Sequence, residues 1–394
     1  MRNWSTMTIW AILPLMLSAG AGADVDCYSE IDPYYLKVNV PSLIHIVTPD
    51  DVERIRKQII NLLWPNGGLP TGRMPAEVKR LAPAETGGSP EQASPDVVPG
   101  WIQSIGSDNL AHVDRLDIAM DYDMHSFIYH LHPKTANNRL LIFQMGHSDD
   151  ILTAGGRETI RHFLDKGFAV VTLWMPLFGE NTRIAKNVPN RGDVDLGTGT
   201  EGHDVMSKTI DDDKGCFIRF FIEPVVVAIN HAEAKYDYTD INMTGVSGGG
   251  WTTHVAAAID TRIRLSFPAA GSLPLYLRRG PCPNGSQGDA EQEWPALFEK
   301  IASWEDIYVM GGYGPGRGQV HILNQYDSCC FWGVNYRSFA PFVTDAVALL
   351  GDGSYEVWLD SSHREHKISD KAITEVIDKC LCGRHPSAGG REGQ

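Results

Sequence analysis

Residues 244–251 read Thr244-Gly245-Val246-Ser247-Gly248-Gly249-Gly250-Trp251. The short run Ile241–Thr244 leads in with strand character, and residues 250–259 lead out with helical spacing. A Gly-x-Ser-x-Gly pattern at 245, 247 and 249 therefore falls between a strand and a helix. Such a turn is sharp and strained, and glycines two before and two after the serine avoid collisions. It lifts the serine Oγ above the sheet and sets the next backbone N–H at a helix N-terminus, facing developing negative charge. A chain with 39 glycines can produce the bare pattern by chance. The strand–turn–helix setting is what makes Ser247 a candidate nucleophile.

Outward from this turn the pattern is strand, strand, strand, then regular strand–helix alternation. His112–Met120, Ser126–His132, Leu140–Gln144 and Ala169–Trp174 read as strands before it. Arg264–Pro268, Gln319–Gln325 and Tyr355–Leu359 read as strands after it, which with Ile241–Thr244 makes eight. Helices are expected at 156–166, 217–234, 250–259, 340–350 and 369–380. Two antiparallel opening strands followed by βα units predict a mostly parallel sheet covered by helices on both faces. In such sheets chemistry sits at the carboxyl ends of the strands.

These residues, over 110–382, resemble an α/β-hydrolase, and the resemblance implies that fold with an eight-stranded sheet. It also implies a chain order: serine nucleophile, then an acid after a later strand, then a histidine after the last. Asp327 ends the run His321-Ile322-Leu323-Asn324-Gln325-Tyr326-Asp327 and is the candidate acid. Its rivals are Asp306, which precedes that strand, and Asp360, which sits beside the candidate histidines. The run Asp360-Ser361-Ser362-His363-Arg364-Glu365-His366 follows the last strand. His366 is favoured as the base because it lies nearer the helix start at Ser369, and His363 is the alternative. The oxyanion hole implied by the family takes the backbone N–H groups of His147 and Gly248. Here the loop reads Gln144-Met145-Gly146-His147-Ser148, with Met145 where the family usually has histidine. Trp251 and the 175–181 loop border the pocket or pack in the core, and 271–316 is long enough for a partial lid.

Before the catalytic region, 24–109 is expected to form an N-terminal extension. It holds one helix, Asp50–Leu63, with Val52, Ile55, Ile59, Leu62 and Leu63 at helical spacing, and a Pro/Gly-rich loop over 66–100. After it, 383–394 reads as a disordered tail. The first 23 residues predict a cleavable export signal: Arg2, an apolar core Ile9–Leu17, and Ala21-Gly22-Ala23 as the cleavage site. Nine apolar residues span about 14 Å as a helix, against about 30 Å of bilayer core, so no stable membrane insertion of the mature chain is expected. A secreted or periplasmic protein follows.

Lys and Arg number 34 against 49 Asp and Glu, a net charge of −15, which argues against nucleic-acid binding. Composition is that of a globular protein with a large core, 43% hydrophobic and 21% charged. Seven cysteines include no Cys-x-x-Cys pair and no zinc-ribbon spacing. An oxidising compartment permits disulfides, and a bridge from Cys329 or Cys330 to Cys380 or Cys382 is expected, with Cys282 as the other partner. The expected function is an exported serine hydrolase acting on small-molecule, carbohydrate-derived or lipid-derived esters, with no metal or organic cofactor. A peptidase or amidase on the same fold, and a binding module that has lost catalysis, are the alternatives.

Overall fold

Apolar runs without alternation become the interior of the sheet. A computed structural model describes residues 26–65, 67–83, 96–282 and 289–382. The expected export signal at 1–23 and the tail at 383–394 lie outside the described residues. Strands β4 (Arg139–Gln144), β5 (Ala169–Leu173), β8 (Asp240–Val246) and β10 (Gly318–Asn324) are buried over nearly their whole length, as strands covered on both faces must be. With β9 (Ile263–Ala269) and β11 (Tyr355–Asp360) they form the parallel body, in the order β5-β4-β8-β9-β10-β11. Strands β2 (Leu110–Ala119) and β3 (His125–Pro133) extend it antiparallel beside β5.

The main sheet has nine strands rather than the expected eight. The added strand, β1 (Glu77–Arg80), pairs antiparallel with β2. It comes from the stretch read as a surface loop, because four polar-rich residues carry no periodicity and only the open edge of β2 makes them a strand. A separate hairpin, β6 (Ile184–Val188) and β7 (Gly192–Asp195), was not expected either.

The order of the strands positions the site. β4 lies between β5 and β8, so the chain reverses its direction of travel across the sheet at that point. The crevice beyond the carboxyl ends of β4 and β8 is where an open α/β sheet receives ligands. Ser247 follows β8, and the Met145–Ser148 loop follows β4.

The N-terminal helix Pro49–Leu63 braces this region from behind. Thr48 and Asp51 form a capping box at its start, and the chain leaves it at Trp64. Val52, Ile55, Ile59 and Leu63 are buried, each contributing about 1.5–3 kcal/mol relative to exposure. Arg56 Nε donates to Ala258 O at 3.0 Å, near the end of the helix Gly248–Ile259 that starts at the Ser247 turn. His45 is bound through both its backbone N–H and Nδ1 to Asp306, each at 2.7 Å. Among the described residues no helix is long and apolar enough to cross a membrane.

Candidate active site

Ser247 has φ 59° and ψ −127°, a conformation that costs a non-glycine residue about 1–3 kcal/mol and persists only where its surroundings enforce it. Here they do. Its N–H donates to Ala269 O at 2.9 Å, and its carbonyl accepts from Trp251 N at 3.0 Å. A methyl group on Gly245 would meet Gly249 O at 2.4 Å, and one on Gly249 would meet Gln144 O at 2.0 Å. Gly250 is closed off by Ala269 O at 2.6 Å, and Gly248 by Met175 Sδ at 2.2 Å. Gly245, Gly249 and Gly250 are thus blocked by backbone, one glycine more than the motif requires, whereas at Gly248 the flexible Met175 side chain is what would have to move. The Ser247 side chain is half-buried and does not cap its own helix. Trp251 is fully buried and packs on Phe221, so it belongs to the core rather than the pocket.

The structure brings Asp327 and His366 together. His366 Nδ1 lies 2.9 Å from both carboxylate oxygens of Asp327. Asp327 Oδ1 also accepts the backbone N–H groups of Cys329 at 2.8 Å and Cys330 at 3.1 Å. Its Oδ2 accepts from Asn324 Nδ2 at 3.0 Å. The other ring nitrogen, His366 Nε2, is buried and has no hydrogen-bond partner. His363 is held elsewhere: its Nε2 lies 3.4 Å from Asp360 Oδ2, and its Nδ1 accepts from Glu365 N at 3.2 Å. Asp360 accepts from Ser362 and Ser369, which anchors the histidine loop to the start of the last helix. Asp306 is occupied by His45 and Ser303. Neither rival acid approaches His366 by a hydrogen bond.

Asn324 was not singled out in sequence, yet it joins the acid loop to the histidine loop. Besides Asp327 it donates to Lys367 O at 2.9 Å. No local signal marked it, since the same strand also carries the polar residues Gln319 and His321.

The expected disulfide is corrected. Cys329 pairs with Cys330, Cys27 pairs with Cys282, and Cys216, Cys380 and Cys382 are free. The last helix explains why. Leu381 O accepts from Arg139, the first residue of β4, and Asp378 faces Lys166 at 3.2 Å. Its end therefore lies at the amino ends of the strands, across the sheet from the acid loop.

On the other side of Ser247, Met145 N–H continues the ladder to Leu173 O at 3.1 Å, and Ser148 N–H closes a tight turn onto Gly146 O at 2.8 Å. That turn leaves the His147 N–H at its apex. Gly146 lies against Ser247, since a methyl group there would meet Ser247 Cβ at 2.6 Å. The His147 ring packs beside Gly248 and reaches Glu291 Oε1 through Nε2 at 3.0 Å. Burial disfavours charge on His147, but the hydrogen bond and negative charge of Glu291, helped by Asp289, raise its pKa. Burial would push Glu291 up, yet His203 and His147 hold it well below the usual carboxylate range. Glu291 and His203 were missed in sequence, because they come from segments remote from each other and from His147.

No protein-family model matches the chain, and no curated protein matches it in sequence. In structure it is similar to acetyl xylan esterase 1 from Thermoanaerobacterium sp. JW/SL YS485, with 13% identity and a TM-score of 0.52, over 89% of this chain and 98% of that one. It is similar to an acetyl xylan esterase from Paenibacillus sp. R4, with 12% identity and a TM-score of 0.53, over 87% and 98%. A methylesterase aligns with 12% identity and a TM-score of 0.55, over 86% of this chain but only 65% of that one. At such identities what is shared is the fold.

Proposed function

We propose that this chain, which has the α/β-hydrolase fold, is a carboxylic ester hydrolase working through an acyl-enzyme on Ser247. Ser247 Oγ attacks the acyl carbon while His366 Nε2 takes its proton, and the same nitrogen returns the proton to the leaving alcohol. Asp327 accepts the Nδ1–H of His366, fixes the tautomer and stabilises the imidazolium. The His147 and Gly248 N–H groups hold the oxyanion. Water then repeats the sequence on the acyl-enzyme. The observation that carries the reading is the state of His366, with one nitrogen committed to Asp327 and the other buried and unpartnered.

The substrate class follows the neighbours' names: a small ester, with acyl or methyl esters on carbohydrate the first to try. Export belongs to the same reading, and the Cys27–Cys282 bridge supports it, since such pairs persist outside the reducing cytosol. The test has two arms. A fluorophosphonate should label Ser247 in the folded protein, and absence of an adduct would favour a binding module. Turnover of p-nitrophenyl esters without turnover of peptide anilides separates an esterase from a peptidase or amidase.

A further inference from the structure

Next to the His147 loop lies a buried cluster that ester hydrolysis does not use. His147 Nε2 is 3.0 Å from Glu291 Oε1, and His203 Nδ1 is 3.4 Å from the same oxygen. The side chains of His203 and Glu291 are completely buried, and that of His147 is 15% exposed. His203 Nε2 lies 3.0 Å from Pro176 O, a carbonyl that can only accept, so the ring proton sits on Nε2. In the neutral ring its Nδ1 then presents a lone pair to a carboxylate. Both His203 Nδ1 and Glu291 Oε2 are buried without a hydrogen-bond partner. The neutral Nδ1 and the facing Oε1 repel in a dry interior, and each buried atom left without a partner, His203 Nδ1 and Glu291 Oε2, costs about 1–3 kcal/mol.

We propose that a divalent cation of the zinc class binds here, ligated by His147 Nε2, His203 Nδ1 and the Glu291 carboxylate. Bonds of about 2.0–2.2 Å at tetrahedral angles set neighbouring ligand atoms roughly 3.3 Å apart. The observed 3.0 and 3.4 Å bracket that spacing, and all three ligand atoms lie within 4.8 Å of one another. Two imidazoles with one carboxylate suit zinc rather than magnesium or calcium, which prefer oxygen alone. Pro176 O supplies the outer hydrogen bond that metal-binding histidines commonly make. Asp289, with Oδ2 4.0 Å from His147 Nε2, is placed to serve as a fourth ligand or to hold a water in that position.

Two other triplets among the described residues fit less well. In one, Cys329 and Cys330 are joined to each other beside His366. In the other, His112, Asp114 and His132, the Arg80 guanidinium already lies 2.6 Å from Asp114 and would repel a cation. The ligands proposed come from the loop after β4, the helix Gly199–Thr209 and the turn Ala290–Gln292. A bound ion would tie these three segments together beside the nucleophile, in addition to the triad and not as part of it.

The full chain, stripped with a chelator and desalted, would be titrated with Zn2+ by calorimetry and with Co2+ by visible absorption. The expected result is one equivalent of Zn2+ bound more tightly than about 1 μM, with the intense Co2+ bands of a four-coordinate site. Glu291→Gln keeps an acceptor for His147 and removes the charge, and His203→Gln removes the unpartnered nitrogen. Each should weaken binding at least about 100-fold with the folded circular dichroism spectrum retained, whereas His132→Ala should bind as the parent does. Folded parent protein that takes up no Zn2+ would overturn the proposal. So would binding that survives both Glu291→Gln and His203→Gln.

Discussion

Asp327→Asn is the most revealing single change, because the surrounding hydrogen bonds dictate which way the new amide must point. Oδ1 of Asp327 receives two backbone N–H groups, from Cys329 and Cys330. An asparagine must keep its carbonyl there, since an NH2 would face two donors. The NH2 therefore replaces Oδ2, where it meets His366 Nδ1 and the Asn324 amide. His366 Nδ1 is equally near the retained carbonyl, but facing the new NH2 it must present a bare Nδ1, and that tautomer carries its proton on Nε2. The nitrogen that should accept the serine proton is then already protonated. In a triad hydrolase the wrong tautomer lowers turnover by about 10⁴, equivalent to about 5 kcal/mol of barrier. Steady-state hydrolysis of p-nitrophenyl acetate reads this directly, with circular dichroism and thermal unfolding as controls for the fold. Substrate binding should be little changed, so the loss belongs in kcat. A folded Asp327→Asn protein keeping more than a tenth of parental kcat would refute the tautomer argument and Asp327 as the acid.

Three further outcomes are expected. His366→Ala should cut turnover by about 10⁶ and abolish fluorophosphonate labelling, while His363→Ala, whose ring faces Asp360, keeps most of the rate; the reverse ranking in a side-by-side assay would move the base to 363. The Cys27–Cys282 bridge closes a sequence separation of 255 residues, so Cys282→Ser should lower stability by up to about 5 kcal/mol in non-reducing denaturant titrations. Burial pushes Glu305 up to about 7, above the unfolded carboxyl near 4.5. The unfolded state therefore ionises first, so this group's contribution is intact below about pH 4.5 and declines until about pH 7. Glu305→Gln should remove that decline and gain up to about 3 kcal/mol on the parent at pH 8, and identical pH–stability curves for the two proteins would exclude it.

What the sequence disclosed follows from how local each signal is. All eight expected strands are present, because long apolar or alternating runs announce themselves without knowledge of their neighbours. The strained turn at Ser247 was legible for the same reason: its strain is relieved by glycines within a few residues. Asp327 and His366, which the structure joins by a hydrogen bond, were chosen by chain order and strand ends, and the choice over Asp306, Asp360 and His363 rested on position alone. Only packing reveals that Asp306 holds His45 and Asp360 holds Ser369. Glu291 and His203 left no trace, since each looks like an ordinary surface-type residue until the fold buries it. The cysteine pairing failed because proximity of the acid and base loops was extended to the final helix, which runs to the opposite end of the sheet. β1 was missed because its strand character is borrowed from β2.

That borrowed strand has a consequence for the molecule in concentrated solution. Without it, β2 would offer a ten-residue row of unpaired amides and carbonyls to any other chain, a ready template for aggregation. β1 covers part of that row and is itself a poor template, being four residues long and mostly exposed. Its two cations are already engaged, Lys79 with Asp96 and Arg80 with Asp114. Short, charged edges are how natural sheets stop growing. The N-terminal extension thus serves the protein's colloidal behaviour as well as its core, making the sheet a closed object at the rim farthest from β11.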